Sequence, residues 1–185
     1  MPTHSVVLWL FGLSGAGKST IGDATLYLLQ ANGILAVRLD GDDLRTGLNS
    51  DLGFSPSDRS ENLRRSAEVA GLFTKIVPVV ICSFITPLSS DRETIRKILG
   101  DRYAEVFIKT SLAECERRDP KGLYVRARSG ELKQFTGVSA AFEEPEKPDL
   151  VIITESGTIE ECANQLFQFI AQRIQADLHR SNADR

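Results

Sequence analysis

The sequence predicts an α/β protein in three layers, with a central parallel sheet and helices on both of its faces. Short apolar runs alternate with longer amphipathic segments along most of the chain. Parallel strands need crossover connections, and right-handed crossovers through helices cover the sheet on both sides. The apolar run VVLWLF at residues 6–11 is typical of a strand that is buried on both faces.

Each predicted element has a local signal. The helix that starts at Lys18 ends at Asn32-Gly33, a typical C-terminal stop, and Ser57 can cap the helix that follows the second strand. The predicted strands cover residues 6–11, 34–39, 77–85, 104–109 and 151–154. The predicted helices cover residues 18–32, 57–75, 92–99, 112–118 and 158–176.

The length of 185 residues fits one domain, which we predict to span residues 1–178. Residues 117–148 are rich in charge, glycine and proline and show no clear periodicity. Long segments of this kind are often functional, so we predict a mobile lid here. Residues 179–185 are predicted to form a flexible tail.

Composition limits the classes of function. With 22 basic and 25 acidic residues, the net charge of -3 gives no general attraction for nucleic acid, and the basic stretch 92–102 is interpreted as a solvated helix face. No apolar run approaches the ~20 residues that cross a membrane. A strand starting at residue 6 leaves no room for a signal peptide. Three scattered cysteines favour neither a disulfide framework nor a zinc site. We therefore predict a cytoplasmic protein without nucleic-acid or membrane partners.

The segment GLSGAGKST (12–20) is a complete phosphate-loop motif between a predicted strand and a predicted helix. Glycines allow the tight turn that points backbone N–H groups at a phosphate, Lys18 can bridge the β- and γ-phosphates, and the Ser19 hydroxyl can ligate Mg²⁺. A glycine-rich connecting turn is the alternative. We predict binding of a nucleoside triphosphate with Mg²⁺. The predicted ATP-binding residues of the loop are Gly12, Ser14, Gly15, Ala16, Gly17, Lys18, Ser19 and Thr20.

A second polar motif, Asp40-Gly41-Asp42, follows the second predicted strand and should therefore lie beside the phosphate loop. An acidic group at this place can hold Mg²⁺ through water or accept a proton from a substrate hydroxyl. A helix N-cap is the structural alternative, and the spacing leaves both open.

A set of further short motifs follows the phosphate loop along the chain. They are DGD (40–42), RTGL (45–48), DLGFS (51–55), DR (58–59), ENLRR (61–65), FITP (84–87), CERRD (115–119), KGLY (121–124) and FTG (135–137). In this combination, which is far more specific than the phosphate loop alone, the chain resembles the adenylylsulfate (APS) kinases over residues 6 to about 154.

The resemblance implies a phosphate-loop kinase fold with a lid, and transfer of the γ-phosphoryl group of ATP to the 3′-hydroxyl of APS in sulfate assimilation. It implies a homodimer, and it leaves open whether the chain works alone or in association with an ATP sulfurylase. Lys18, Asp40, Asp42 and Arg118 are the implied catalytic residues, with Arg118 also closing over ATP and Asp40 helping Ser19 at the metal. The implied acceptor pocket contains Asp42, Arg45, Phe54, Arg59, Asn62, Ile85, Thr86, Lys121 and Phe135.

Two other interpretations stay open. The chain carries Thr86 where the family usually has serine, LSS at 88–90 where an arginine is usual, and Val125 where a basic residue is frequent. These departures allow a kinase of the same fold that acts on another nucleotide-linked acceptor. A regulatory nucleotide-binding module without kinase activity is less favoured, because Lys18 and Asp42 are both present.

Overall fold

The computed structural model describes residues 5–183, with side chains as far as residue 176. Five strands form one sheet in the order β2-β3-β1-β4-β5, and every neighbouring pair is parallel. The α/β fold class is thereby confirmed. The strands are β1 Val6–Phe11, β2 Ala36–Asp40, β3 Val79–Ser83, β4 Tyr103–Lys109 and β5 Leu150–Ile153. The helices are α1 Lys18–Ala31, α2 Gly41–Thr46, α3 Pro56–Phe73, α4 Ser89–Leu99, α5 Leu112–Arg118, α6 Leu123–Arg128 and α7 Ile159–Ala183, with a 3₁₀ turn at Gly100–Arg102.

Alternate residues of β1 face two separate hydrophobic cores, as the period of two in a strand requires. Leu8 and Leu10 pack on the side of α1 and α7, whereas Trp9 and Phe11 pack on the side of α3 and α4. All six residues of β1 are buried. The central strand is therefore covered on both faces, which explains its uninterrupted apolar sequence.

The strand register brings the polar motifs to one edge of the sheet. Asp40 at the end of β2 pairs with Ser83 at the end of β3, and Ser83 also lies opposite Leu10 of β1. The loops that leave these three strands therefore begin side by side. This edge carries the phosphate loop, the acidic motif and the segment 84–87, as the predicted topology requires.

Several element boundaries differ from the prediction for identifiable reasons. The helix α3 begins at Pro56 because Ser55, one residue earlier, accepts a hydrogen bond from the Asp58 N–H at 3.2 Å, so Ser57 is inside the helix. Two short helices, α2 and α6, were not predicted, because six residues are too few to show a helical period. The strand β3 begins two residues later than predicted, since Pro78 stands before it and lacks a backbone N–H, and it ends at Ser83, two residues earlier than predicted.

Two helices are longer than predicted. The helix α4 starts at Ser89 because the carboxylate of Glu143 accepts hydrogen bonds from its backbone N–H and its hydroxyl, both at 2.7 Å. Such a cap from a distant segment has no local signal. The helix α7 continues to Ala183, so residues 179–183 of the predicted tail are helical, while residues 184 and 185 lie outside the described part of the chain.

The charged residues of the stretch 92–102 are mostly exposed, as a solvated helix face requires, but this interpretation was wrong at the first residue. Arg92 is 5% exposed and lies over the Phe11 ring, with its guanidinium carbon 5.0 Å from the ring centroid. Arg92 and Arg96 both pair with the carboxylate of Glu105 on β4, at 3.3 and 2.8 Å. These arginines hold α4 against the sheet.

The segment predicted to be a lid packs its inner residues into the domain core. Tyr124 and Phe135 are buried with their rings edge to face, 5.0 Å apart between centroids. Phe142 stacks against Phe107 at 5.9 Å on the other face of the sheet. None of the helices that the structure describes is both long and apolar enough to cross a membrane.

Candidate active site

The phosphate loop has a backbone conformation that requires glycine. Gly12 has φ of 152°, and a Cβ atom there would lie 2.4 Å from the carbonyl oxygen of Ile108. Gly15 and Gly17 have φ of 76° and 101°, in the region that side chains disfavour. The loop then enters α1 at Lys18, whose N-terminal N–H groups favour an anion.

The side chain of Lys18 folds back over the loop. Its Nζ donates hydrogen bonds to the carbonyl oxygens of Gly12 at 3.1 Å and Leu13 at 2.7 Å. Burial lowers the pKa of Lys18 from 10.5 to about 8, because desolvation penalises its charged form more than nearby Cys115 and Asp40 favour it. A phosphate group brought to the loop would favour the charged form again.

This lowered pKa predicts a pH effect on nucleotide binding. In the free protein Lys18 loses its charge as the pH rises through about 8, whereas a bound triphosphate should keep it protonated. We therefore expect the affinity for ATP to fall as the pH increases from 8 to 9, and binding near pH 8 to take up about half a proton. Titration calorimetry in buffers of different ionisation enthalpy measures both. A pH-independent affinity over this range would contradict the low pKa, and the Lys18→Arg variant, which stays charged, serves as the control.

A carboxylate lies next to Ser19, the phosphate-loop residue whose hydroxyl could bind a metal ion. Ser19 Oγ donates to Asp40 Oδ2 at 2.6 Å, and Arg38 Nη1 donates to the same oxygen at 2.6 Å. Burial alone would raise the pKa of Asp40, but the hydrogen bonds from Ser19 and the Asp42 N–H and the charge of Arg38 together hold it below its ordinary value. Asp40 is therefore an ionised acceptor beside the phosphate loop.

Of the two roles that the spacing left open, the structure shows the helix cap, and it leaves the second carboxylate oxygen of Asp40 directed at Ser19. Asp40 Oδ1 accepts a hydrogen bond from the Asp42 N–H at 3.0 Å, which caps α2, while Oδ2 faces Ser19. Among the described residues no cluster of three or more His, Cys, Asp or Glu side chains could hold a metal ion. Ser19 and Asp40 thus offer two hard oxygen ligands rather than a complete cage.

Arg118, at the end of α5, is held against the phosphate loop. Its Nε donates to Glu114 at 2.8 Å, and its Nη1 and Nη2 donate to Oγ1 and the carbonyl oxygen of Thr154 at 3.0 and 2.9 Å. Thr154 Oγ1 is also 3.0 Å from the carbonyl oxygen of Ala16, to which it donates. This chain of contacts fixes the guanidinium beside the nucleotide end of the site.

The opposite end of the site contains two arginines around one aromatic ring. The guanidinium carbons of Arg45 and Arg59 lie 4.5 and 5.9 Å from the centroid of Phe54, whose side chain is 66% exposed. Arg59 also donates to the carbonyl oxygen of Gln134 at 3.0 Å and to Thr136 Oγ1 at 3.2 Å, which ties α3 to the segment 117–148. An exposed ring flanked by two cations suits a planar anionic ligand.

Asp42 and Lys121 form an ion pair across the cavity, between α2 and the loop before α6. Asn62 is buried on α3, where its Oδ1 accepts a hydrogen bond from Asn49 at 3.0 Å. Thr86 is 1% exposed, and its hydroxyl accepts a hydrogen bond from the indole of Trp9 at 2.8 Å. The Thr86 hydroxyl is therefore hydrogen-bonded to a side chain of the hydrophobic core.

One cavity of about 1570 Å³ joins the two ends of the site. All the predicted site residues line it except Gly12 and Ala16, which lie behind the loop surface. The predicted residues on the cavity wall are Ser14, Gly15, Gly17, Lys18, Ser19, Thr20, Asp40, Asp42, Arg45, Phe54, Arg59, Asn62, Ile85, Thr86, Arg118, Lys121 and Phe135.

Three supporting residues escaped the sequence reasoning. Arg38 lies two residues before Asp40 in β2, and that spacing, which places both side chains on one face of a strand, was the available signal. Thr154 follows the last strand, at the sheet edge where ligands bind. Tyr124 donates its hydroxyl proton to the carbonyl oxygen of Ser14 at 2.9 Å, a contact that no local pattern indicates.

A phosphate loop at the carboxyl edge of a parallel sheet, with an acidic residue that ends another strand and contacts the loop serine, defines a phosphate-loop nucleotide-binding protein. The family model for adenylylsulphate kinase matches residues 4–153. The chain belongs to the adenylylsulphate kinase family.

Individual relatives agree with this assignment. The adenylyl-sulfate kinase of Bacillus licheniformis is 51% identical over 167 residues, which cover 90% of this chain and 85% of that protein. The adenylyl-sulfate kinase of Clostridium kluyveri is 44% identical and covers 93% and 86%. The structure of the Mycobacterium tuberculosis APS kinase CysC in complex with AMPPNP and APS superposes with a TM-score of 0.88 at 43% identity, covering 92% of this chain and 99% of that chain.

Proposed function

We propose that this protein is an adenylyl-sulfate kinase that transfers the γ-phosphoryl group of ATP to the 3′-hydroxyl of APS, producing ADP and 3′-phosphoadenosine 5′-phosphosulfate. The observation that carries the proposal is the continuous cavity, which has Lys18 at one end and the Phe54 ring between Arg45 and Arg59 at the other. The related M. tuberculosis enzyme, solved with AMPPNP and APS, supports the assignment of a donor and an acceptor nucleotide.

At the donor end the chain supplies positive charge and fixed N–H groups. Lys18 leaves the carbonyl oxygens of Gly12 and Leu13 and contacts the β- and γ-phosphates, while Arg118 covers the nucleotide from its anchor on Thr154. Phosphoryl transfer depends mainly on such positioning and charge neutralisation. ATP is the co-substrate.

The donor set fits Mg²⁺. This ion commonly takes one or two protein oxygens and completes its shell with water and nucleotide phosphates. Ser19 Oγ and the ionised Asp40 Oδ2 are oxygens of this kind, and Arg38 keeps the carboxylate in place. When bound, Mg²⁺ would neutralise charge that develops on the transferred group.

At the acceptor end, Phe54 packs on the adenine of APS while Arg45 and Arg59 pair with its phosphosulfate, with Asn62, Ile85 and Phe135 completing the pocket. Asp42 orients the 3′-hydroxyl and accepts its proton once Lys121 has turned from Asp42 to the substrate.

The segment 117–148 acts as the lid of a single domain that spans residues 1–178. Its contacts with the body support this proposal: Lys121 reaches Asp42, and Gln134 and Thr136 accept hydrogen bonds from Arg59. Each of these contacts involves a residue of the proposed acceptor-binding pocket. Acceptor binding therefore competes with the closing contacts and can set the position of the lid.

The proposed setting is a cytoplasmic homodimer that receives APS from an ATP sulfurylase. Exposed apolar side chains near the end of α3, Leu72 and Ile76, are available to an interface. A hexameric APS kinase from Thiobacillus denitrificans, 30% identical, shows that a relative forms oligomers. Light scattering on the purified chain distinguishes a dimer from a monomer.

The test of the function is release of ADP from Mg-ATP by the purified protein, with and without micromolar APS. We expect release to be fast only with APS, and the product to carry phosphate at the 3′ position. ATP binding without any response to APS, but with turnover on another nucleotide-linked acceptor, would instead support the kinase of altered specificity. Nucleotide binding without turnover on any acceptor would leave only the regulatory module.

A further inference from the structure

Thr86 has a strained backbone conformation in the wall of the cavity. Its φ is 44°, in the left-handed region that a β-branched residue rarely adopts. It lies between Ile85 and Pro87, which line the cavity with it. The three residues follow β3, the strand between β1, which leads to the phosphate loop, and β2, which ends in Asp40. Such conformations persist only where the surrounding structure holds them.

Two side chains from the core hold Thr86. The indole Nε1 of Trp9 donates to Thr86 Oγ1 at 2.8 Å, and Arg92 Nη1 donates to the Thr86 carbonyl oxygen at 3.3 Å. Trp9 is fully buried and stacks on Phe84, with 4.7 Å between ring centroids. The side chain and the carbonyl group of Thr86 are therefore fixed from beneath the cavity.

The holding side chains are themselves rigid. Arg92 is buried between the Phe11 ring, at 5.0 Å, and the carboxylate of Glu105, at 3.3 Å. On the other side of Thr86, the carbonyl oxygen of Ile85 accepts a hydrogen bond from the Gly12 N–H at 3.3 Å. This wall, residues 85–87, is thus joined to the first residue of the phosphate loop.

We propose that Trp9 and Arg92 are positioning residues that act through Thr86: they hold the wall at residues 85–87 so that the acceptor hydroxyl meets the γ-phosphate in line. The Thr86 hydroxyl serves as the acceptor for Trp9 and neither contacts nor carries a phosphoryl group. This inference rests on the proposed kinase function. It makes the alignment of the two substrates depend on a hydrogen bond in the core.

The test uses three substitutions of Thr86. Thr86→Val removes the hydroxyl and keeps the shape, Thr86→Ser keeps the hydroxyl, and Thr86→Gly removes the contact but accepts the left-handed backbone, so it folds without strain. Thr94→Val, on the exposed face of α4, is the matched control. Steady-state kinetics with APS and ATP give the functional effect.

Trp9 is the single tryptophan of the chain, so its fluorescence reports on the contact directly. An indole N–H that loses its partner emits at shorter wavelength, and this readout does not depend on activity. We expect a blue shift in Thr86→Val and Thr86→Gly but not in Thr86→Ser or Thr94→Val. In the two variants with a blue-shifted emission, we expect kcat to fall between about tenfold and 100-fold. The dissociation constant of ATP should change less than about twofold in both.

Three outcomes would overturn the inference. An unchanged emission in Thr86→Val would show that the indole contact is not made in solution. A shifted emission with wild-type kcat would show that the contact positions nothing. An equal loss of kcat in Thr86→Ser and Thr86→Val would place the role in the threonine methyl group. Failure of the proposed function looks different, because the wild-type protein would then show no APS-dependent release of ADP.

Discussion

Replacing Lys18 by alanine should lower kcat by about 10³-fold or more while the protein stays folded. In the proposed mechanism Lys18 leaves the carbonyl oxygens of Gly12 and Leu13 to contact the transferred group. Removing one preorganised donor from a developing charge typically costs about 10²- to 10³-fold. Because the substitution also removes a full positive charge, we expect the fall in kcat at or above the upper end of this range. Rates of APS-dependent ADP release measure it.

The fold should survive the Lys18→Ala substitution, because burial of the charged lysine lowers the free energy of unfolding of the free protein. Burial lowers its pKa to about 8, which means that the folded state disfavours the charged side chain at neutral pH. The sign of the linkage is that this cost is present below pH 8 and declines as the pH rises towards 10.5. Circular dichroism and thermal unfolding check the fold, and Lys97→Ala, on the exposed side of α4, is the matched control. Wild-type turnover in Lys18→Ala would contradict the assignment of the phosphate loop.

Replacing Asp42 by asparagine should reduce kcat by about 10²- to 10⁴-fold and change the dissociation constant of ATP by less than about threefold. The substitution keeps the size of the side chain and removes its ability to accept a proton from the 3′-hydroxyl. Asp42 lines the cavity and pairs with Lys121, whereas Ser19 and Asp40 contact each other beside the phosphate loop. Loss of turnover should therefore be separable from loss of ATP binding.

Asp43→Asn is the matched control for Asp42→Asn, because Asp43 is the next residue of the same helix and lies outside the cavity lining. Its contact with Arg38, at 3.6 Å, is on the exposed surface. Asp43→Asn should keep wild-type kcat. If Asp42→Asn weakened only the binding of ATP, Asp42 would be a metal or structural residue and the proton acceptor would have to be sought elsewhere.

The polar ends of the strands were predictable because their signals are local. The spacing of Gly12, Gly15 and Gly17 is that of one tight loop in which each has a positive φ. The resemblance assigned Arg45 and Arg59 to one pocket, and the structure brings both side chains to the Phe54 ring. Their placement on one cavity follows from the parallel sheet, which collects the strand ends at a single edge.

The sequence by itself determined the parallel sheet, the phosphate loop and the acidic motif at the end of the second strand, because strand periodicity and glycine turns depend on neighbours along the chain. The other polar residues of the site were predicted from the family resemblance. Only the tertiary structure decided which side chains, distant along the chain, hold these features in place. Trp9 and Thr86 are 77 residues apart, and Ser89 and Glu143 are 54 apart. The burial of Arg92 on α4 likewise depends on its ion pair with Glu105 of β4. Contacts at these separations are set by packing across the sheet, which no local pattern in the chain records.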